Sequence, residues 1–481
     1  MAIDEEQIAR LVRATLVKLG QSGSAGSPLQ ASLVDAPPSG PTFGSVDEAV
    51  AAAAGAQRQL IAQPLERRKE IIASIRAVCT DHVQELSELA VSETGMGNVP
   101  DKVQKNLLAI RKTPGVEDIE TRAFSGDRGL TIEEPAPFGV ICAITPSTNP
   151  SETVFNNGIS MIAAGNSVVF NAHPGAKRVS TRAVELMNEA IVSAGGPANA
   201  VCCMAEPTIE TGRSLMKHAG VSLLAVTGGP AVVKVAMTSG KKVIAAGPGN
   251  PPVVVDETAD LQLAAREIVN GASFDHNVLC VSEKEIFVVS SVADELKRGM
   301  VENGAYELSP EELAAVLRVV YTDYEPGKPA QDLTINRNLV GRHASKIMQA
   351  AGLSLPDGKR LLIAETNREH PLVMREMLMP LVPLVRAKDV GEAIDWAYLA
   401  EAQRFHTAMM YSRNIANLSK MARRMNTSIF VKNAPSYAGL GFGGEGPTSY
   451  TIAGPTGEGV TTARTFTRRR RCVLVDYFRI I

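Results

Sequence analysis

The chain predicts an α/β protein built on two parallel sheets with helices on both faces. Three observations carry that expectation: its length, a helix-rich opening block, and short β-rich runs that alternate with helical ones. At 481 residues, 45% of them apolar, the chain exceeds what one hydrophobic core serves, so two or more domains are expected. The block 44–120 is rich in Ala, Leu, Glu, Arg and Lys at helical spacing, most clearly at Leu65–Ile72 and Val83–Leu86, and predicts two or three long helices. Gly139–Ile144, Ser167–Phe170, Ala200–Met204, Leu223–Val226 and Lys242–Ala245 then read as buried strands separated by helix-length segments, the pattern of a parallel sheet. Pro251–Asp256 opens a second region of the same kind, and no internal repeat interrupts it.

The two ends read differently. From residue 3 to 19, Ile8, Leu11, Val12, Leu16 and Leu19 fall at three- and four-residue steps while Glu5, Gln7, Arg10, Arg13 and Lys18 take other faces, an amphipathic helix. Residues 20–42 are rich in Gly, Ser and Pro and predict a flexible linker. A helix of this length is marginal alone in water, so its apolar stripe needs a surface. Either it packs back on its own body or it docks on a partner, and the tether favours the partner. Near the other end, Arg468–Arg471 precede Cys472–Asp476 and read as the solvated or intersubunit lead-in to a strand. The run Gly439–Gly446 lacks the Lys-Ser/Thr of a phosphate loop and reads as a loop closing over a cleft.

Composition removes several classes of function. A net charge of −2 and 4% aromatic residues argue against a nucleic-acid surface. The cysteines, at 79, 142, 202, 203, 280 and 472, show neither metal-ligand spacing nor a disulfide framework, so free thiols in a reducing compartment and no metal site are expected. No apolar run approaches a membrane span, and the acidic start Met1–Glu6 lacks the basic region of a secretory signal.

Cys280 is the best nucleophile candidate. It stands between the polar, Gly-containing run 271–279 and Val281–Val289, which reads as the start of a buried strand. Four other segments keep it company: Ile144–Pro150 with Asn149, the turn Val226–Pro230, Gly247–Pro251, and Glu376–Pro380. Singly, each has a plainer reading: Asn149 as a turn former before Pro150, Thr227-Gly228-Gly229 as a strand-to-helix turn, Glu376 as a solvated carboxylate.

In that order and at those separations the segments resemble the aldehyde dehydrogenase superfamily. More narrowly they resemble its CoA-acylating branch, the propionaldehyde and acetaldehyde dehydrogenases of bacterial microcompartments, over about residues 43–481. The resemblance implies an aldehyde dehydrogenase-like fold of two Rossmann-type parallel-sheet domains plus a small oligomerisation sheet. It divides the chain into a targeting helix (1–19), a linker (20–42), an NAD-binding domain (43–243) with an oligomerisation hairpin near 120–136, a catalytic domain (244–432), and a return to the cofactor domain ending in an oligomerisation strand (433–481). It implies Cys280 as nucleophile, with the Asn149 amide and the Cys280 N–H as oxyanion donors. Thr145, Pro146, Asn171, His173, Pro174, Thr227, Gly228, Gly229, Gly247 and Glu376 take the cofactor-binding places, with a pyrophosphate at the helix start after Gly229. Asn171–Pro174 stand where the superfamily has a lysine-containing run, which leaves NAD against NADP open.

One departure discriminates. Where hydrolytic aldehyde dehydrogenases have a Glu-Leu-Gly-Gly run whose carboxylate activates water, this chain has Ala245. Without that base a thioester waits for a better nucleophile, and a thiolate is one, so coenzyme A is the expected acceptor. The expected reaction is a short-chain aldehyde, propionaldehyde or acetaldehyde, with NAD+ and CoA going to acyl-CoA and NADH in ping-pong order. Two alternatives stand beside it: a hydrolytic enzyme in which His276 or Glu376 serves as base, and a non-catalytic microcompartment cargo protein. His406 reads as a satisfied group beside apolar residues. The expected setting is a bacterial microcompartment in the cytoplasm, with shell or cargo proteins bound through residues 3–19 and a homo-oligomer, dimer or tetramer.

Overall fold

The computed structural model describes residues 40–480. The predicted helix over 3–19 and the linker up to residue 39 lie outside the described residues. The linker reading ends sooner than expected, because Pro41 already accepts a hydrogen bond from the Cys203 N–H at 2.8 Å and strand β1 (Thr42–Phe43) pairs with the sheet.

Four helices open the body, where two or three were expected: Val46–Ala62, Leu65–Asp81, Val83–Thr94 and Val99–Lys112. Pro64 separates the first two, and Gly95, at φ 66°, closes the third in the left-handed conformation that glycine adopts without a Cβ penalty. Their apolar faces, such as Ile71, Ile72, Ile75 and Cys79 on the second, are buried.

Strands β2 (Arg122–Gly126) and β3 (Gly129–Pro137) form a hairpin where one was expected. Strands β4 (Val140–Ile144), β5 (Ser167–Asn171), β6 (Val201–Met204), β7 (Val221–Thr227) and β8 (Lys242–Ala246) then join β1 in a parallel sheet of order β1-β6-β5-β4-β7-β8. β4 and β5 are buried throughout, as strands covered by helices on both faces must be. Because β8 pairs with β7 through Ala246, the boundary expected after residue 243 falls inside a strand. The chain leaves this sheet at Gly247.

The second sheet has seven parallel strands. They are β9 (Pro252–Val255), β10 (Glu285–Val289), β11 (Ala305–Glu307), β12 (Leu361–Glu365), β13 (Leu381–Ala387), β14 (Thr407–Tyr411) and β15 (Ile429–Lys432), in the order β11-β12-β13-β10-β9-β14-β15. The strand after Cys280 starts at Glu285 rather than Val281, since the Lys284 ammonium donates back to the carbonyls of Asn277 (2.9 Å) and Leu279 (3.1 Å) and holds the intervening residues in a loop.

After β15 the chain returns to the first sheet's helices. Asn156, on a helix Pro150–Ala163 that is buried at every position, accepts from the Tyr450 N–H at 2.9 Å. The short pair β16 (Ile452–Ala453) and β17 (Gly459–Val460) follows, and β18 (Thr467–Val475) lies antiparallel on β3. Arg468–Arg471 are thus part of the strand and not its lead-in. Arg471 is held there by Glu133 across the pair, Nε to Oε1 at 2.9 Å.

Candidate active site

Strand order places the first half of the site. In the first sheet the order reverses between β4 and β7, and open α/β sheets bind ligands at the carboxyl ends of the strands beside such a reversal. Thr145 and Pro146 follow β4, Asn171, His173 and Pro174 end or follow β5, Thr227, Gly228 and Gly229 end or follow β7, and Gly247 follows β8. Nine of the ten expected cofactor residues therefore share one edge. They are not equally free. Asn171 is engaged with Thr208 and Thr211, donating to the Thr208 carbonyl at 3.3 Å and accepting from the Thr211 hydroxyl at 2.8 Å. Thr227 pairs with the Thr451 hydroxyl at 2.8 Å. The Gly228 N–H goes to the Ala246 carbonyl at 3.2 Å, so the free donors expected there shift to the first turn of the helix Pro230–Met237.

This edge fits a dinucleotide. The Thr145 hydroxyl is buried without a partner, and nothing lies within 4 Å of the place a Cβ would take at Gly229, as close approach of a phosphate to backbone requires.

The second half is the loop that carries Cys280. Asp275, His276 and Asn277 adopt left-handed φ values of 46°, 54° and 65°, conformations that cost a non-glycine residue about 1–3 kcal/mol each. The loop is tied at several points. The Asn98 N–H donates to Asp275 at 2.9 Å, and Asn277 donates to the carbonyls of Ala272 (2.8 Å) and Glu283 (3.0 Å). Cys280 sits inside this closed loop, partly exposed.

The segment leaving β8 meets that loop. A Cβ on Gly249 would stand 2.6 Å from the Cys280 carbonyl oxygen and 3.1 Å from the His406 ring, so glycine here lets the crossover lie directly on the cysteine backbone. The Gly249 N–H also faces the Glu376 carboxyl and favours its charged form. Gly247–Gly249, Cys280, Glu376 and His406, far apart in sequence, are thereby one cluster. Glu376 is not the solvated carboxylate of the plainer reading: burial raises its carboxyl, against Lys284, Arg404 and the Gly249 N–H. His406 is not satisfied either. Its Nδ1 meets the Thr407 hydroxyl at 2.9 Å, its Nε2 is buried without a partner, and burial pushes it down to about 3. It is neutral.

Asn149 opens the buried helix Pro150–Ala163 without capping it. Its amide nitrogen makes one bond, to the Thr148 hydroxyl at 3.2 Å, and its Oδ1 has no partner. The turn does not use the side chain.

A cavity of about 670 Å³ approaches the loop from the other side, with Asn98, Asp101, His276, His343 and Arg360 in its wall. His276 faces this cavity, its Nδ1 on the Gly341 carbonyl at 3.1 Å and its ring 5.2 Å from that of His343. Behind it Phe274, Tyr437 and Phe442 close on one another with ring centroids 5.1–5.8 Å apart, and with Lys105, Leu279 and Tyr450 they surround a gap too small for a water molecule. Phe442 belongs to the glycine-rich run expected to close over a cleft.

Sequence reasoning missed the charges beneath the loop. Lys102 and Lys105 are buried, and both reach Asp275, at 3.1 and 2.6 Å. Lys105 also pairs with Glu152 at 3.2 Å. The signal was present: positions 102, 105, 106 and 109 form a stripe at helical spacing that is buried although two of its members are lysines. Lys284 was missed as well, and burial pushes it down to about 8.

Burial, then the neighbouring Glu376, push the Cys280 thiol up to about 12, against Lys284, its own N–H and Lys105. The thiol is protonated in the free protein at neutral pH, and the thiolate is the reactive form. Alkylation of Cys280 by iodoacetamide, followed by peptide mapping, should therefore rise about tenfold per pH unit from about pH 7 to about pH 10 without a plateau. A plateau near neutral pH would contradict this electrostatic picture.

Known proteins match this arrangement. The profile of the aldehyde dehydrogenase family matches residues 34–307. Over 481 residues, all of both chains, the sequence is 50% identical to the acetaldehyde dehydrogenase (acetylating) EutE of Escherichia coli (strain K12). The propionaldehyde dehydrogenase of the Clostridium phytofermentans fucose utilisation bacterial microcompartment superposes with a TM-score of 0.88 at 45% identity, covering 92% of this chain and 100% of that one. The Rhodopseudomonas palustris propionaldehyde dehydrogenase, solved with bound CoA and an acylated cysteine, superposes with a TM-score of 0.87 at 48% identity, covering 91% and 98%. With its two parallel sheets, the reversal of strand order in the first and these full-length likenesses, the chain belongs to the aldehyde dehydrogenase family, in its CoA-acylating branch.

Proposed function

We propose that the chain converts a short-chain aldehyde, propionaldehyde or acetaldehyde, with NAD+ and CoA into acyl-CoA, NADH and a proton, through a thioester on Cys280. The observation that carries this reading is what surrounds the cysteine. The segment leaving β8 lies on the Cys280 carbonyl through Gly249, and at the place of the hydrolytic enzymes' carboxylate β8 itself has Ala245, fully buried with its N–H on the Thr456 hydroxyl at 3.0 Å. His276 faces the outer cavity, and His406, pushed down to about 3, is too weak a base to take a proton from water near neutral pH. A water-activating base in the hydrolytic position is missing.

In this mechanism the Cys280 thiol loses its proton, the one the overall reaction releases, and its sulfur bonds to the carbonyl carbon of the aldehyde. The Asn149 amide and the Cys280 N–H hold the oxygen as it becomes anionic. NAD+, when bound, supplies the acceptor for the hydride that leaves this carbon. Its places are Thr145 and Pro146, Asn171 to Pro174, Thr227 to Gly229, Gly247 and Glu376, whose carboxylate would take the ribose hydroxyls beside the nicotinamide. The CoA thiolate then adds to the Cys280 thioester and the cysteine sulfur leaves, which restores the enzyme. Lys284, held beside the sulfur by Asn277 and Leu279, favours that departing thiolate.

The setting follows from the sequence and the relatives. The amphipathic pattern over 3–19 would bind shell or cargo components of a bacterial microcompartment, the source of the Clostridium relative. Val473, Leu474 and Val475 at the end of β18, with Tyr477 and Phe478 just beyond it, are exposed, an apolar patch on a sheet edge that a monomer rarely leaves in water. A homo-oligomer, dimer or tetramer, would cover it.

Three outcomes are expected. Propionaldehyde and NAD+ should yield sustained NADH and propionyl-CoA only when CoA is present, and Cys280→Ala should lower that rate at least about a thousandfold; sustained propionate without CoA would favour the hydrolytic alternative. Deleting residues 1–20 should leave turnover within about twofold while abolishing co-purification with shell proteins, and retained co-purification would refute docking. Leu474→Glu should lower the mass found by light scattering, and an unchanged mass would place the interface elsewhere.

A further inference from the structure

Lys102, Lys105, Glu152 and Asp275 form a closed set of four charges with essentially no exposure. Two come from the helix Val99–Lys112, one from the helix Pro150–Ala163, and one from the loop before Cys280. Asp275 is the hub: one oxygen takes both ammoniums and the other takes the Asn98 N–H at 2.9 Å. The Asp275 N–H in turn donates to Asp101 at 2.8 Å. Even the approach is shaped to it, since a Cβ on Gly97, at φ 72°, would strike the Asp275 carboxylate.

A buried set of this kind is a poor source of stability, and apolar residues of similar volume would serve mere packing at least as well. Its position suggests what the charges are for. Asp275 begins the three left-handed residues that lead to Cys280, and Lys105 lines a closed gap together with Leu279, the residue before the cysteine, and Tyr450. Tyr450 fixes the helix at that point by donating to the Lys105 carbonyl at 3.1 Å.

We propose that Lys105 is a positioning residue for Cys280: its ammonium, fixed between Asp275 and Glu152, holds the left-handed turn that carries the cysteine and favours the thiolate. The other groups acting on this sulfur are Glu376, which opposes the thiolate, and Lys284 with the Cys280 N–H, which favour it. Tyr450 faces it from the last segment, and His406 faces its backbone across Gly249. Lys105 is the member of the four whose charge reaches the sulfur most strongly. This rests on Cys280 being the nucleophile, but alkylation of its thiol is read without aldehyde, NAD+ or CoA, so failure of either idea is seen separately.

The test compares two variants of the full chain. Lys105→Met combined with Glu152→Gln keeps the buried net charge at zero through Lys102 and Asp275. It should retain the melting transition and slow iodoacetamide alkylation of Cys280 about threefold at a fixed pH near 8, the loss of the Lys105 charge outweighing that of Glu152. Glu152→Gln alone leaves Lys105 less compensated and should act in the opposite sense, speeding alkylation and moving its pH profile down. That variant carries the test if the double variant does not fold. An unchanged profile in both, or slowing in both with a lowered melting temperature, would reduce Lys105 to a structural role and overturn the proposal.

Discussion

The site depends on a backbone that would not hold its shape unaided. Three consecutive non-glycine residues, Asp275 to Asn277, stand in the left-handed region, and a strained conformation persists only where its surroundings over-determine it. Here they do. Two buried lysines grip Asp275 from one helix, Asn277 is tied to residues on either side of the cysteine, and Lys284 reaches back across the loop. Cys280 is thus placed by contacts from both halves of the protein, although in the chain it stands in the loop between the helix Leu261–Ser273 and β10.

The same packing sets the chemistry. Burial disfavours the thiolate, and Glu376 disfavours it further, while Lys284 and Lys105 pull the other way. The glycine at 249 lets a second backbone lie on the cysteine, and the segment that brings it there holds an alanine where a carboxylate would activate water. Slow hydrolysis is what a thioester destined for another thiol requires.

Much of this was legible in the residues. Parallel strands covered on both faces read as apolar runs, so β4 to β8 were found within a residue or two, and the motifs that follow them fell on one edge. The motif at Gly247–Pro251 was recognised, yet its contact with Cys280 and His406 depends on tertiary packing that no local pattern encodes. Lys102 and Lys105 were missed for a different reason. Hydrophobic periodicity equates lysine with solvent, whereas here the buried stripe of a helix carries the charges that a strained loop on another segment needs. The fourth opening helix, the strand start at Glu285 and the placement of Arg468–Arg471 inside β18 likewise turn on caps and ion pairs that become visible only once partners are placed.

The most direct measurement of the central claim follows the acyl group itself. Mixing the enzyme with propionaldehyde and NAD+ in the absence of CoA, quenching at intervals in acid and mapping peptides by mass spectrometry should find one propionyl group on Cys280 that outlasts many turnover times and is lost at once when CoA is added. An acyl group on another residue, or one that water removes from Cys280 as fast as CoA does, would contradict the account.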